Sequence, residues 1–126
     1  VSGYTVRNVL VWVKNDQASG NLDGTFTPKH ELIIHSVKGN PLMIKPMGDV
    51  IVAVRSSSGI HQNEKPMKLL KRLLEATTVE GAVVADPFGG VASTCIAAYL
   101  SARRYWSCEI DEGSYVTGLT RLKSEL

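Results

Sequence analysis

Val83-Val84-Ala85-Asp86-Pro87-Phe88-Gly89-Gly90-Val91-Ala92-Ser93-Thr94 is an apolar, β-branched run that ends in an acid, a rigid proline and two glycines. That order reads as a strand, a tight turn and a helix N-terminus, the place where an α/β fold cradles a small ligand. Downstream, Tyr105-Trp106-Ser107-Cys108-Glu109-Ile110 reads as the next strand, and Glu109 follows Gly90 by 19 residues. A carboxylate about 20 residues past the glycines reaches the ribose hydroxyls of an adenosine-containing cofactor. A nicotinamide enzyme would share this spacing, but the GxGxxG fingerprint is absent.

Upstream, His61-Gln62-Asn63-Glu64-Lys65-Pro66-Met67-Lys68-Leu69-Leu70 leads through one amphipathic helix into the Asp86 strand. Together these segments resemble the amino-methylating DNA methyltransferases of permuted motif order. Those enzymes carry H-x-x-x-K-P-x-x-L-L, then D-P-F-x-G-S-G-T-T, then an acid after the next strand. Val9-Leu10-Val11-Trp12-Val13-Lys14-Asn15 and Lys29-His30-Glu31-Leu32-Ile33-Ile34 look like the same family's W-x-K and H-E strands, in the expected order. The resemblance covers roughly residues 6–115.

The resemblance implies an α/β fold of the S-adenosylmethionine-dependent type: one Rossmann-like, mixed and mainly parallel sheet, incomplete in this chain. It implies methyl transfer from S-adenosylmethionine to adenine N6 or cytosine N4 of double-stranded DNA, as in restriction-modification. Its cofactor residues map onto Asp86, Phe88, Gly89, Gly90, Glu109, Ile110, His61 and Lys65. Asp86 would meet the methionyl end, because that end's ammonium and sulfonium both favour a carboxylate. Glu109 would take the ribose and Ile110 the adenine face. His61 and Lys65 would reach the cofactor's carboxylate. Lys65 opens a helix, where the dipole disfavours a cation, and a bound carboxylate would resolve that mismatch. His30 and Glu31 read as structural.

Two departures from the pattern stand out. The family's S-G-T-T continuation is Val91-Ala92-Ser93-Thr94 here, and a positive φ at Ala92 would cost about 1 kcal/mol or more. The catalytic [D/N/S]-P-P-[Y/F/W] motif is missing. The prolines are Pro28, Pro41, Pro46, Pro66 and Pro87, none of them adjacent, so no catalytic residue is assigned. In the permuted order that motif precedes the Trp12 strand, which makes residues 1–126 a single domain lacking its N-terminal catalytic strand. That strand is expected between the Asp86 and Trp12 strands. Its loss would leave two open edges, to be closed by another copy or by the rest of the same protein. The rival reading is a degenerate, non-catalytic remnant that serves as a structural or DNA-docking module.

Composition agrees with one compact domain: 126 residues, 44% hydrophobic, 21% charged. A net charge of +2 neither announces nor excludes a nucleic-acid partner. No apolar run approaches the ~20 residues of a membrane span, no signal pattern opens the chain, and the reading is cytoplasmic. Val1 in place of Met suggests a cut or processed N-terminus. Cys95 and Cys108 read as small buried hydrophobes, and no Cys/His group has metal-ligand spacing.

Strands are expected over residues 6–14, 31–37, 49–54, 81–86 and 105–110. Helices are expected from Pro66 to about Thr77, after Gly90, and over residues 113–123. The first strand reads as buried on both faces. Met67, Leu70, Leu73 and Leu74 form the apolar stripe of the first helix, with Lys65, Lys68 and Arg72 on another face.

Overall fold

A computed structural model describes residues 3–14, 23–24, 26–54 and 64–125. The elements run β1 (Tyr4–Val13), β2 (His30–Lys38), β3 (Val50–Val52), α1 (Met67–Thr77), β4 (Val83–Asp86), α2 (Ser93–Leu100), β5 (Arg104–Ser107) and α3 (Glu112–Glu125). Every expected strand and helix is present, with ends displaced by a few residues. Pro66 is the residue before the first helical turn, and its carbonyl accepts from the Leu69 and Leu70 amides.

The strands form two sheets instead of the single one expected. One has the order β2-β1-β3 and the other pairs β4 with β5. β1 runs antiparallel to β2 and parallel to β3, while β4 and β5 are parallel. The adjacency of the Asp86 strand and its successor, linked by α2, is as expected. The Trp12 strand is not an open edge, because β3 pairs with it through Val11, Trp12 and Val13. Among the described residues the open edges belong to β2, β3, β4 and β5. A cleft of about 750 Å³ separates the sheets, lined by His35, Ser36 and Val37 of β2 and by Val83 of β4. The physical reason for the split is that β2 and β4 find no described strand to bridge them.

Register assigns the faces of the larger sheet. Leu10, Trp12, Ile33 and Ile51 turn toward α1, where Trp12, Ile51, Ala53 and Leu69 make the core. Val9, Val11, Val13, Leu32, Ile34, Val50 and Val52 share the opposite face, and Leu32 and Ile34 are 62% and 68% exposed. The expectation that this first strand is buried on both faces is therefore corrected: only one face is covered. The smaller sheet is likewise one-sided, with Val83, Ala85 and Trp106 outward.

The stripe of α1 is turned from its expected setting. Leu69, Leu73 and Ala76, spaced i, i+4, i+7, meet the core, while Leu70 and Leu74 are half-buried. α2 is buried nearly all round, through Cys95, Ile96, Ala97 and Ala98, and sits between α1, α3 and the β4–β5 sheet. Cys95 is buried as expected; Cys108 is exposed, and both thiols are free.

Candidate functional site: the cleft at the glycine turn

The turn after β4 is built by its own side chains. Asp86 ends the strand, and its Oδ1 accepts from the Phe88 amide at 3.0 Å. Asp86 thus caps the turn and not helix α2, whose N-cap is Ala92 without a side-chain hydrogen bond. Gly89 is required by packing: a Cβ there would lie 2.0 Å from Ser107 Oγ. Its close neighbour on that side is Ser107 of β5, and Gly89 also lines the cleft. Gly90 has φ +52°, the left-handed region in which glycine alone is unstrained. Ala92 also adopts the left-handed region, at φ 65° and ψ 23°. The strain anticipated from the Ala-for-Gly departure is present in the backbone.

Gly118 of α3 makes room for this turn. A Cβ on Gly118 would meet Ala92 Cβ at 3.1 Å and the Gly90 carbonyl oxygen at 3.2 Å.

Glu109 lies two residues past the end of β5, in the loop before α3, so it follows the strand as the family pattern implies. The strand ends at Ser107 and not at residue 110. The Gly90 amide donates to its Oε2 at 2.7 Å; the Ile110 and Asp111 amides donate to its Oε1, each at 2.9 Å. The backbone amides of Asp111 and Gly90 hold this carboxyl below the usual carboxylate range, with Ile110 adding to them. A carboxylate offers about four acceptor positions, so Glu109 keeps one for a hydroxyl without giving up an amide.

These groups line one cleft of about 520 Å³, with Glu64, Lys65, Asp86, Phe88, Gly89, Gly90, Glu109 and Asp111 on its wall. Of the cofactor residues read from the sequence, the structure brings together Asp86, Phe88, Gly89, Gly90, Glu109 and Lys65. Ile110 is fully exposed beside the cleft and not on its wall. His61 lies outside the described residues. Asn40 is hydrogen-bonded by Arg7, and Pro41 lines the cleft between the sheets, so neither belongs to this site.

One side chain that braces the site lies outside every motif read from the sequence. Arg121 of α3 donates to Glu64 Oε1 at 2.6 Å, to the Val91 carbonyl at 2.7 Å and to Ser93 Oγ at 3.3 Å. One guanidinium therefore ties the segment before α1, the glycine turn and the start of α2. The Glu64 side chain is 5% exposed. The one legible signal is spacing: Arg121 is three residues after Gly118, on the helix face that meets the turn.

Across the molecule, Glu31 stands opposite Trp12 in the β1–β2 register. Its two oxygens bind Lys65 Nζ at 2.9 Å and Lys14 Nζ at 3.2 Å. Burial works to raise the Glu31 pKa, and the two ammoniums overcome it and hold the carboxyl below its ordinary value. Lys65 and Lys14 lie 5.5 Å and 5.9 Å from the Trp12 ring centroid. Among the described residues no group of three His, Cys, Asp or Glu could hold a metal ion.

Known proteins resemble the chain in sequence and in fold. The N6/N4 DNA methylase family matches residues 45–118, from the connector before β3 to the middle of α3. The chain belongs to that family. YubD of Escherichia coli (strain K12) is 37% identical to this family member over 122 residues, covering 96% of the chain and 52% of YubD. The type II methyltransferase M2.DpnII of Streptococcus pneumoniae is 25% identical over 142 residues, covering 98% of the chain and 53% of its own length. The chain thus spans about half the length of these relatives.

Two solved structures carry the same fold. The M1.HpyAVI–SAM complex aligns with a TM-score of 0.82 at 22% identity, covering 94% of this chain and 62% of that one. The cytosine-N4-specific PvuII DNA methyltransferase also aligns at 0.82, with 16% identity and coverage of 94% and 51%. Among the described residues no helix is long and apolar enough to cross a membrane.

Proposed function

We propose that this chain is the cofactor-binding part of a DNA amino-methyltransferase, taking S-adenosylmethionine in the cleft at the glycine turn. The observation that carries the reading is the convergence of Glu109 and the Asp86–Gly90 turn on one cleft. Glu109 retains an acceptor position for a ribose hydroxyl. Among the described residues the acids Glu64, Asp86, Glu109 and Asp111 outnumber the one wall cation, Lys65, and Glu64 is matched by Arg121. Such a wall favours the cofactor's ammonium and sulfonium. Lys65 suits its carboxylate, and His61 would approach the same end. Phe88 and Ile110 offer exposed apolar surface to the base. The cofactor supplies the methyl group. This chain's residues bind and orient it, and the group that holds the target amine must come from outside the described residues.

The acceptor is an exocyclic amino group of adenine or cytosine in double-stranded DNA. Isothermal titration of S-adenosylhomocysteine tests the cofactor, and transfer of a radiolabelled methyl group to DNA tests the reaction. Binding without transfer by the 126-residue polypeptide is the expected result.

A second reading, a non-catalytic remnant, is favoured by one specific observation: the left-handed Ala92 beside the cleft. Under that reading the polypeptide binds no S-adenosylhomocysteine, and Ala92→Gly restores binding.

A further inference from the structure

Among the described residues Lys65 is the one cation on the wall of the cleft, and it is held from behind. Its ammonium sits between Glu31 Oε2 at 2.9 Å and the Trp12 ring at 5.5 Å. The partners of that pair are themselves fixed. Trp12 is buried, with its indole N–H donated to the Ala53 carbonyl at 2.8 Å. Glu31 is set opposite Trp12 by the strand register, and its second oxygen binds the buried Lys14.

We infer that Glu31 is a positioning residue of the cleft, holding Lys65 where it meets the carboxylate end of the bound ligand. The inference rests on the cofactor reading above. Glu31 comes from the other sheet, far from the glycine turn in sequence, and does not itself line the cleft; it meets the wall through Lys65.

The charges explain why a holder is needed. Two ammoniums lie by one indole ring and share one carboxylate, and without that carboxylate they repel. Lys14, almost wholly buried, has no room to retreat, so Lys65, which is half exposed, is the one that would swing into solvent. An ammonium has three donors, so Lys65 can serve Glu31 and a ligand carboxylate together. A free lysine side chain must also give up its rotamer freedom on binding, and the Glu31–Trp12 cradle removes that cost beforehand. Against this, Glu31 repels a ligand carboxylate. The cluster of Lys14, Lys65 and Glu31 retains one net positive charge, so attraction prevails.

A pair of ligands separates this role from a structural one. S-adenosylhomocysteine carries the amino-carboxypropyl arm, and 5′-methylthioadenosine has the same nucleoside without it. Titration calorimetry is run with both on the wild type, Glu31→Ala, Glu31→Gln, Lys65→Ala and the Glu31→Ala/Lys65→Ala double variant. Glu31→Gln keeps the shape if Glu31→Ala fails to fold. The expected result is a loss of roughly three- to tenfold in S-adenosylhomocysteine affinity, the scale of one lysine's rotamer freedom, with methylthioadenosine unchanged. The double variant should bind like Lys65→Ala alone. Equal losses for both ligands, or no loss for S-adenosylhomocysteine, would overturn the inference. A wild type that binds neither ligand would overturn the cofactor reading itself, and this inference with it.

Discussion

The Gly90 amide donates to Glu109 Oε2 at 2.7 Å, joining the turn after β4 to the loop after β5 across 19 residues of sequence. One carboxylate therefore both ties the two loops together and lines the cleft between them. Replacing Glu109 by Ala is expected to weaken S-adenosylhomocysteine binding by roughly ten- to a hundredfold, the range for a hydrogen bond to a charged group. Titration calorimetry reads this directly, and equal affinity would remove Glu109 from the site. The pH dependence follows from the depressed pKa. A group whose folded pKa lies below its unfolded value contributes stability above the unfolded pKa and loses it as pH falls through the folded one. The stability that Glu109 contributes should therefore be present from neutral pH down to the ordinary carboxylate range and be lost below it. Affinity should fall over the same acid range, because the ionised carboxylate is the form that accepts the hydroxyl. Glu109→Gln should remove that acid limb.

Ala92 occupies the left-handed region with its methyl against Gly118. Relief of roughly 1–2 kcal/mol of left-handed strain, offset by about 0.4–1 kcal/mol of added unfolded-chain entropy, leaves Ala92→Gly more stable by roughly 0.5–1 kcal/mol. Gly118→Ala should destabilise, because its new Cβ meets backbone atoms of Gly90 and Val91 at 3.2 Å. Chemical denaturation of both variants checks the opposite signs. Destabilisation by Ala92→Gly would contradict the backbone assignment.

Arg121 and Glu64 form an ion pair with side chains only 18% and 5% exposed. Removing one partner of a buried pair costs about 3–5 kcal/mol, whereas replacing both with apolar groups is often neutral. Arg121→Met should therefore destabilise strongly, and Arg121→Met/Glu64→Leu should recover most of the loss. Failure of the double variant to recover would mean that the guanidinium's hydrogen bonds to Val91 and Ser93 dominate.

The bare sheet faces make a prediction about the isolated polypeptide. Leu32, Ile34, Val50 and Val52 form one contiguous apolar surface, and open edges on β2 and β4 flank the cleft between the sheets. Such surfaces and edges associate in water. Light scattering coupled to size exclusion should give a mass above the 13.7 kDa of the chain. A monodisperse monomer that does not bind a hydrophobic dye would contradict this.

Much of the cleft was legible because its parts are local. The β-branched run, Asp86, the proline and the glycines each specify backbone geometry within a few residues, so β4, its turn and α2 follow from sequence. The left-handed Ala92 was foreseeable because a methyl stands where the family's pattern has glycine. What was not legible depends on distant residues meeting. Arg121 finds Glu64 across 57 residues, and Glu31 finds Lys65 across 34. Neither pair carries a local pattern. The setting of α1 was misread because Leu69, Leu70, Leu73 and Leu74 leave two apolar stripes, and only the position of Trp12 and Ile51 selects between them. The division into two sheets was half visible. An open edge was expected, but the pairing of β3 with β1 depends on a connector with no strand pattern of its own.

The most direct test is a crystal structure of the polypeptide with S-adenosylhomocysteine. The account predicts ligand density over Asp86 to Gly90, with a ribose hydroxyl on Glu109 and the carboxylate arm at Lys65. Density elsewhere, for example in the apolar cavity of about 310 Å³ between Leu10, Ile33, Met47 and Leu73, with Glu109 and Lys65 untouched, would contradict it.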